Sequence, residues 1–217
     1  MFIKGKTVFF DTQPIITGSA GVVGKKEGEG PLRGDFDMIF EDTTMGKESF
    51  ELAESAMLHD SIIRALSNAQ RSPADVDFVM TGDLLDQCVG SCFALKDLQI
   101  PFIGMYGACS TMALTLASCA MLVDGGANCC VGGASSHFCS SERQFRFPLE
   151  YGGQRPPTAQ WTVTGAGSCV VEQLADRPPE NEIKIKAVQI GTITDLGIKD
   201  PNNMGAAMAP AGVIIRP

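Results

Sequence analysis

The chain has 217 residues, 44% of them hydrophobic, and a formal net charge of −8, with a mean hydropathy of +0.09. This composition excludes a disordered chain and describes a well-buried globular protein, while the acidic balance argues against nucleic acid as a partner. The longest apolar stretch, Met112 to Val123, is too short and too rich in Ser and Thr to span a bilayer. The opening Met1-Phe-Ile-Lys-Gly-Lys has no apolar region followed by a cleavage site, so it is no signal peptide. A cytoplasmic setting is the expectation.

Along the chain, Gly21-Val-Val-Gly-Lys-Lys holds part of a phosphate-loop pattern. It lacks the closing Lys-Ser/Thr and follows no convincing strand, so a glycine-rich surface loop over Gly24 to Gly34 is expected instead. Ser49 can cap a helix whose apolar positions Leu52, Ala53, Ala56, Met57, Ile63 and Leu66 recur at three and four. His59 falls on the surface of that helix. Ser72-Pro73-Ala74-Asp75 reads as a cap with proline at the first helical position. Val76 to Gly82 alternates as a strand, and Ser91 to Leu98 is a short helix.

A strand at Phe102 then runs into a helix with Cys109 in its first turn. Met112 to Leu122 are apolar or small almost without a break, which predicts a buried helix. Asp124-Gly125-Gly126 closes it, with Gly125 as the left-handed cap. Cys129 to Ala134 is a strand whose adjacent Cys129 and Cys130 point to opposite faces. A polar segment covers Ser135 to Pro157, and two strand-like runs, Ala159 to Thr164 and Ser168 to Glu172, flank Gly165-Ala-Gly167. Asp176 to Glu182 looks like a surface turn before strand alternation resumes over Ile183 to Thr194. Helices alternating with strands predict a layered α/β protein with a parallel or mixed sheet.

Cys109 is the candidate reactive group. A thiol in the first turn of a helix meets unpaired N–H groups and the positive end of the dipole, and both favour thiolate. Gly104, Gly107 and Ala108 keep its approach free of bulk. The alternative is an inert cysteine acting as a small hydrophobe. A reducing compartment leaves the eight cysteines free. Cys88 and Cys92 with His137 and Cys139 match no common zinc spacing, so no metal is expected.

His137 is the candidate base for Cys109, although no spacing places it beside the sulfur. Arg143 and Arg146 lie three apart and share a helical face, where two guanidinium forks suit carboxylates. Surface pairing with Glu142 and Glu150 is the competing explanation. Trp161 is expected in the core.

Several motifs resemble a known fold. Gly107-Ala-Cys109-Ser-Thr, Asp124-Gly-Gly, Val131-Gly-Gly-Ala-Ser-Ser and Thr164-Gly-Ala-Gly-Ser-Cys-Val-Val look like the N-terminal half of a thiolase-fold protein, a layout shared by condensing ketoacyl synthases. Gly28-Glu-Gly-Pro-Leu, Ser141-Glu-Arg-Gln-Phe-Arg-Phe-Pro, Glu150-Tyr-Gly-Gly-Gln, Thr158-Ala-Gln-Trp-Thr-Val-Thr-Gly-Ala-Gly and Asp195-Leu-Gly-Ile-Lys-Asp-Pro-Asn-Asn-Met-Gly-Ala-Ala-Met-Ala-Pro resemble the stage V sporulation protein AD family of endospore-forming bacteria.

The resemblance implies a thiolase-like layered αβα fold. Residues 1–200 would be its N-terminal half, with 201–217 the start of a truncated second half that ends abruptly at Ile214-Ile-Arg-Pro. It also implies binding of dipicolinic acid (pyridine-2,6-dicarboxylate), free or as its calcium chelate, for uptake into the developing spore. The protein would work beside integral membrane proteins of the same sporulation operon, peripheral to the spore inner membrane and without a cofactor. Cys109 matches the nucleophile position of the synthases, with a binding role in this family. Arg143, Arg146 and His137 are the further candidate ligand contacts, on charge chemistry rather than on the resemblance. The rival is an acyltransferase of the ketoacyl synthase or thiolase type, with Cys109 as nucleophile and backbone N–H groups as oxyanion hole. Open sheet edges in a half-fold also provide a route to a homodimer.

Overall fold

The computed structural model describes residues 1–85, 88–145, 162–173 and 183–192, with backbone only for 142–145. In chain order, β1 (Phe2–Lys4) and β2 (Thr7–Phe9) form a hairpin, turned at Gly5 with φ +62°. β3 (Ile15–Gly24), the four-residue α1 (Lys25–Gly28) and β4 (Met38–Phe40) follow. Then come α2 (Phe50–Asn68), β5 (Phe78–Gly82), α3 (Val89–Leu95), β6 (Phe102–Gly104) and α4 (Thr111–Asp124). β7 (Cys129–Ser136), α5 (Phe138–Phe145), β8 (Gly165–Glu172), β9 (Ile183–Lys184) and β10 (Ala187–Gln189) complete the described elements.

The main sheet runs β4-β3-β8-β7-β5-β6, with β9 also on β3. It is mixed. β5 is parallel to β6 and β7, and β8 is antiparallel to β7 and β3. One face carries α2 and α3, where Met57, Leu58, Ile62, Leu66 and Leu95 close over Val22, Val79, Val131 and Val170. The other carries α4, whose Cys119 and Val123 pack on Met80, Cys130 and Val171. A second sheet, β1-β2-β10, covers the far end of α4 by laying Val8, Phe10 and Val188 against Ala120. This is the expected αβα layering. Residues 201–217, read as the opening of a second half, lie outside the described residues.

Local chemistry explains the elements that were expected. The Ser49 hydroxyl accepts from the Leu52 N–H at 3.2 Å and starts α2. Asp75 accepts from both the N–H and the hydroxyl of Ser72, at 2.7 Å each, and holds a one-turn 3-10 helix at Pro73–Asp75. Cys129 and Cys130 do face opposite ways, one into each core. β5 is buried throughout from Val79 to Gly82, as a central parallel strand must be, rather than alternating.

Other expectations are corrected. Gly21 and Gly24 belong to the ten-residue strand β3, and Gly21 stands opposite Gly167 of β8. The phosphate-loop pattern is therefore a sheet ladder, and α1 with a 3-10 turn at Arg33–Asp35 replaces the loop expected over Gly24 to Gly34. Glycine is required within β3 because α2 crosses so closely: a Cβ on Gly18 would lie 2.4 Å from the Ala65 carbonyl oxygen. Gly165-Ala-Gly167 is likewise strand and not a break between strands.

On α2 the inward stripe is Ala53, Met57, Leu58, Ile62, Ala65 and Leu66, while Leu52 is 39% exposed. α4 is not buried all round, since Ala113 and Leu114 are exposed. Its cap also moves one residue: Gly125 is right-handed and Gly126 takes φ +115°. The run from Ile183 gives two short strands, β9 and β10, instead of one. No helix among the described residues is long and apolar enough to cross a membrane.

Candidate functional site around Cys109

The Cys109 turn is assembled where β5 and β6 end. Beyond Gly104 the Met105 N–H still donates to the Thr81 carbonyl at 2.9 Å, so the chain leaves the sheet pressed against β5. Gly82 makes that approach feasible: a Cβ there would fall 1.8 Å from the Met105 carbonyl oxygen. The chain then bends through Gly107 and Ala108. Ala108 sits at φ +45°, a left-handed conformation that costs a non-glycine residue about 1 kcal/mol.

Hydrogen bonds over-determine the bend. Ser110 donates its N–H (2.9 Å) and hydroxyl (2.7 Å) to the Gly107 carbonyl. Thr111 donates its hydroxyl to the Ala108 carbonyl at 2.8 Å and accepts from the Gly107 N–H at 3.2 Å. Cys109 lies in a 3-10 turn, Ala108–Ser110, ahead of α4. The thiol therefore precedes the first turn of the α-helix instead of occupying it. It is exposed, between small neighbours and with Tyr106 and Leu114 partly exposed nearby in sequence.

His137 is placed differently from its expected role. The ring is 1% exposed, at the junction of β7 and α5. Its Nδ1 accepts from the Cys139 N–H at 3.1 Å, so the proton resides on Nε2, which donates to the Thr43 carbonyl at 2.8 Å. Phe50 stacks on it at 5.2 Å. Both nitrogens are thus committed to holding α5 on the body of the protein, and the lone pair needed of a general base is taken. Arg143 lies in the backbone of α5 with its side chain not described, and Arg146 lies outside the described residues.

The zinc alternative also resolves into separate roles. The Cys88 thiol is buried and donates to the Met105 carbonyl at 3.4 Å, whereas Cys92 is exposed. No group of three or more His, Cys, Asp or Glu side chains among the described residues could hold a metal ion. All eight cysteines are free. Burial pushes Cys129 and Cys130 up to about 12 and raises Cys119, Cys169 and Cys88 as well. An aromatic disulfide reagent at neutral pH is expected to modify Cys92 and Cys109 in a first fast phase. Cys119, Cys129 and Cys130 should react only as the protein unfolds; native-state labelling of Cys130 would contradict this packing.

Two buried carboxylates escaped the reading of the sequence. Glu54 is 0% exposed on the inward stripe of α2, accepting from Ser135 of β7 at 3.1 Å and Ser140 of α5 at 2.8 Å. Asp83, 1% exposed, accepts from the Leu85 and Ser91 N–H groups and the Ser91 hydroxyl, at 2.9, 2.7 and 2.7 Å. Burial raises the Glu54 carboxyl to about 7, with Asp83 adding to the rise and the serine hydroxyls opposing it. The signal was available: Glu54 stands three, four and seven residues before Met57, Leu58 and Ser61, on one helical face.

The family described as Stage V sporulation protein AD matches residues 4–215. Stage V sporulation protein AD of Bacillus subtilis (strain 168) is 42% identical over 213 residues, which take in 97% of this chain and 62% of that protein. The chain thus spans less than two thirds of that relative's length. Among solved structures, 3-oxoacyl-[acyl-carrier-protein] synthase III from Aquifex aeolicus VF5 superposes with a TM-score of 0.51 at 18% identity, over 75% of this chain and 55% of that one. An OleA variant from Xanthomonas campestris with cerulenin gives 0.52 at 12% identity, over 76% and 59%. At such identities these two similarities establish the fold, which is thiolase-like. The matched span and the identity to the Bacillus protein go further: the chain belongs to the stage V sporulation protein AD family.

Proposed function

We propose that the protein binds dipicolinic acid without catalysis, free or as its calcium chelate, and serves its uptake into the developing spore. Cys109 lines the pocket floor, and Arg143 and Arg146 supply guanidinium forks to the two carboxylates. His137 acts at one remove: by fixing the first turn of α5 it positions the segment that carries Arg143. Integral membrane proteins of the same sporulation system are the proposed partners, with the protein peripheral to the spore inner membrane; a homodimer is a further proposal.

The observation that carries this reading is the state of His137. The resemblance puts the histidine and asparagine partners of the synthase cysteine in the second half of the fold, and within this chain the lone pair of His137 already holds the Cys139 N–H, so His137 is not the base that acyl transfer by Cys109 would need. An exposed thiol on a fixed turn, bordered by small residues, can contact a flat aromatic ligand without that base. Two measurements on the full-length protein test the proposal. Dipicolinate is expected to slow alkylation of Cys109 by iodoacetamide while leaving Cys92 unaffected; an unchanged Cys109 rate overturns the placement of the pocket. Incubation with an acyl thioester should leave the intact mass unchanged, whereas an acyl adduct on Cys109 returns acyl transfer as the function.

A further inference from the structure

Glu54 ties three elements together. From α2 its carboxyl oxygens accept from Ser135 of β7, from Ser140 of α5 and from the His137 backbone N–H at the head of that helix. Among the described residues no lysine or arginine pairs with it. The charged group that faces it is Asp83, on the connection from β5 to α3, and the His137 ring between β7 and α5 is neutral, with its proton on Nε2.

The seat of α5 is polar. Besides the two bonds to Glu54, the Phe138 N–H donates to the Thr164 hydroxyl at 3.0 Å and the His137 ring to the Thr43 carbonyl at 2.8 Å. Neither Phe138 nor Cys139 joins the three apolar clusters of the body. The Ser141 hydroxyl is buried with no partner among the described residues, and an unpaired buried hydroxyl weakens the docked state. A helix held in this way opens at lower cost than the elements that close the cores.

We propose that α5 is a proton-held latch: while Glu54 keeps its proton the helix stays docked on β7 and α2, and when the carboxyl ionises the helix lifts from the body. Lifting admits water to a carboxylate that the docked helix leaves buried beside Asp83 without a cation, so the charged form favours the open arrangement. Glu54 is thereby a positioning residue for whatever α5 carries. The link to the ligand, and that link alone, rests on the dipicolinate reading: α5 carries Arg143, so bound dipicolinate holds the helix down.

Amide hydrogen exchange of the full-length protein, corrected for its intrinsic pH dependence, tests the latch. The docked carboxyl titrates at about 7 against an ordinary 4.5. Opening of α5 should therefore be about tenfold more frequent at pH 8.5 than at pH 6. Val79 and Met80 of β5, with Cys119 and Ala120 of α4, should keep their protection at both. Glu54→Gln should exchange its α5 amides alike at the two pH values. Ser140→Ala removes one bond and leaves the carboxyl, so it should speed α5 exchange at both. The same pH dependence in native and Glu54→Gln proteins overturns the proposal. So does a parallel rise in β5 and α4, which would mean general loosening rather than a latch. Dipicolinate at a hundred times its Kd should slow α5 exchange by about a hundredfold. Unchanged α5 exchange with the ligand bound breaks the link through Arg143, whereas absence of binding sinks the ligand reading itself.

Discussion

Glu54→Gln is expected to remove most of a fall in stability that the native protein shows between about pH 4.5 and 7. The Glu54 carboxyl in the folded chain titrates at about 7, against an ordinary 4.5. The folded state therefore holds a proton through that window which the unfolded chain releases. Stability is greatest below the lower value, declines as pH rises through the window, and levels off above the upper one. At about 1.4 kcal/mol per pKa unit the decline amounts to roughly 3 kcal/mol.

The cause is geometric. Glu54 has no exposed surface, and the charged form would face Asp83 with two serine hydroxyls and the His137 N–H rather than a cation as its hydrogen-bond partners. Glutamine keeps the shape, accepts from one serine and donates to the other, and does not titrate. Urea unfolding across a pH series reads the effect. The variant should match the native chain near pH 4.5 and exceed it by about 2–3 kcal/mol at pH 8. Parallel declines in the two proteins would show that Glu54 is not the group responsible.

Gly82→Ala is the second large effect. The new methyl would stand 1.8 Å from the Met105 carbonyl oxygen and 2.8 Å from Thr111 Cγ2. Neither neighbour can give way cheaply, because the Met105 N–H is bonded to the Thr81 carbonyl and Thr111 fastens the Cys109 turn to α4. Overpacking of this kind costs about 3 kcal/mol. The damage should also appear at the turn itself, as a changed alkylation rate of Cys109. Gly34→Ala is the control: no atom lies within 4 Å of its added methyl, so it should fall within about 0.5 kcal/mol of the native chain. Equal midpoints for the two alanine variants would mean that β5 and the Met105 segment are not so closely apposed.

What was legible in the sequence was local. Ser49 as a cap, the proline turn at Ser72, the strand-to-helix passage around Cys109 and the opposite faces of Cys129 and Cys130 each follow from a few adjacent residues. The central strand β3 was hidden because its glycines look like a loop, and they are there for reasons of close approach: Gly18 beneath α2, Gly21 opposite Gly167. The phase of α2 was misjudged because Glu54 and Ser61 interrupt the buried stripe with polar residues whose partners, Ser135, Ser140 and Ser168, are remote in sequence.

The site was legible in part for the same reason. Cys109 carries its own turn, so its presentation could be read directly. The task of His137 could not, since the carbonyl that fixes its tautomer belongs to Thr43, 94 residues away. The histidine considered as a base for Cys109 is, in space, a strut for α5.

Calorimetric titration of dipicolinate into the full-length protein, with and without calcium, addresses the central claim most directly. The account predicts saturable heat that weakens at least tenfold in Cys109→Ala, with the variant as stable as the native protein. Absence of heat in both conditions, or identical isotherms for the two proteins, would contradict it.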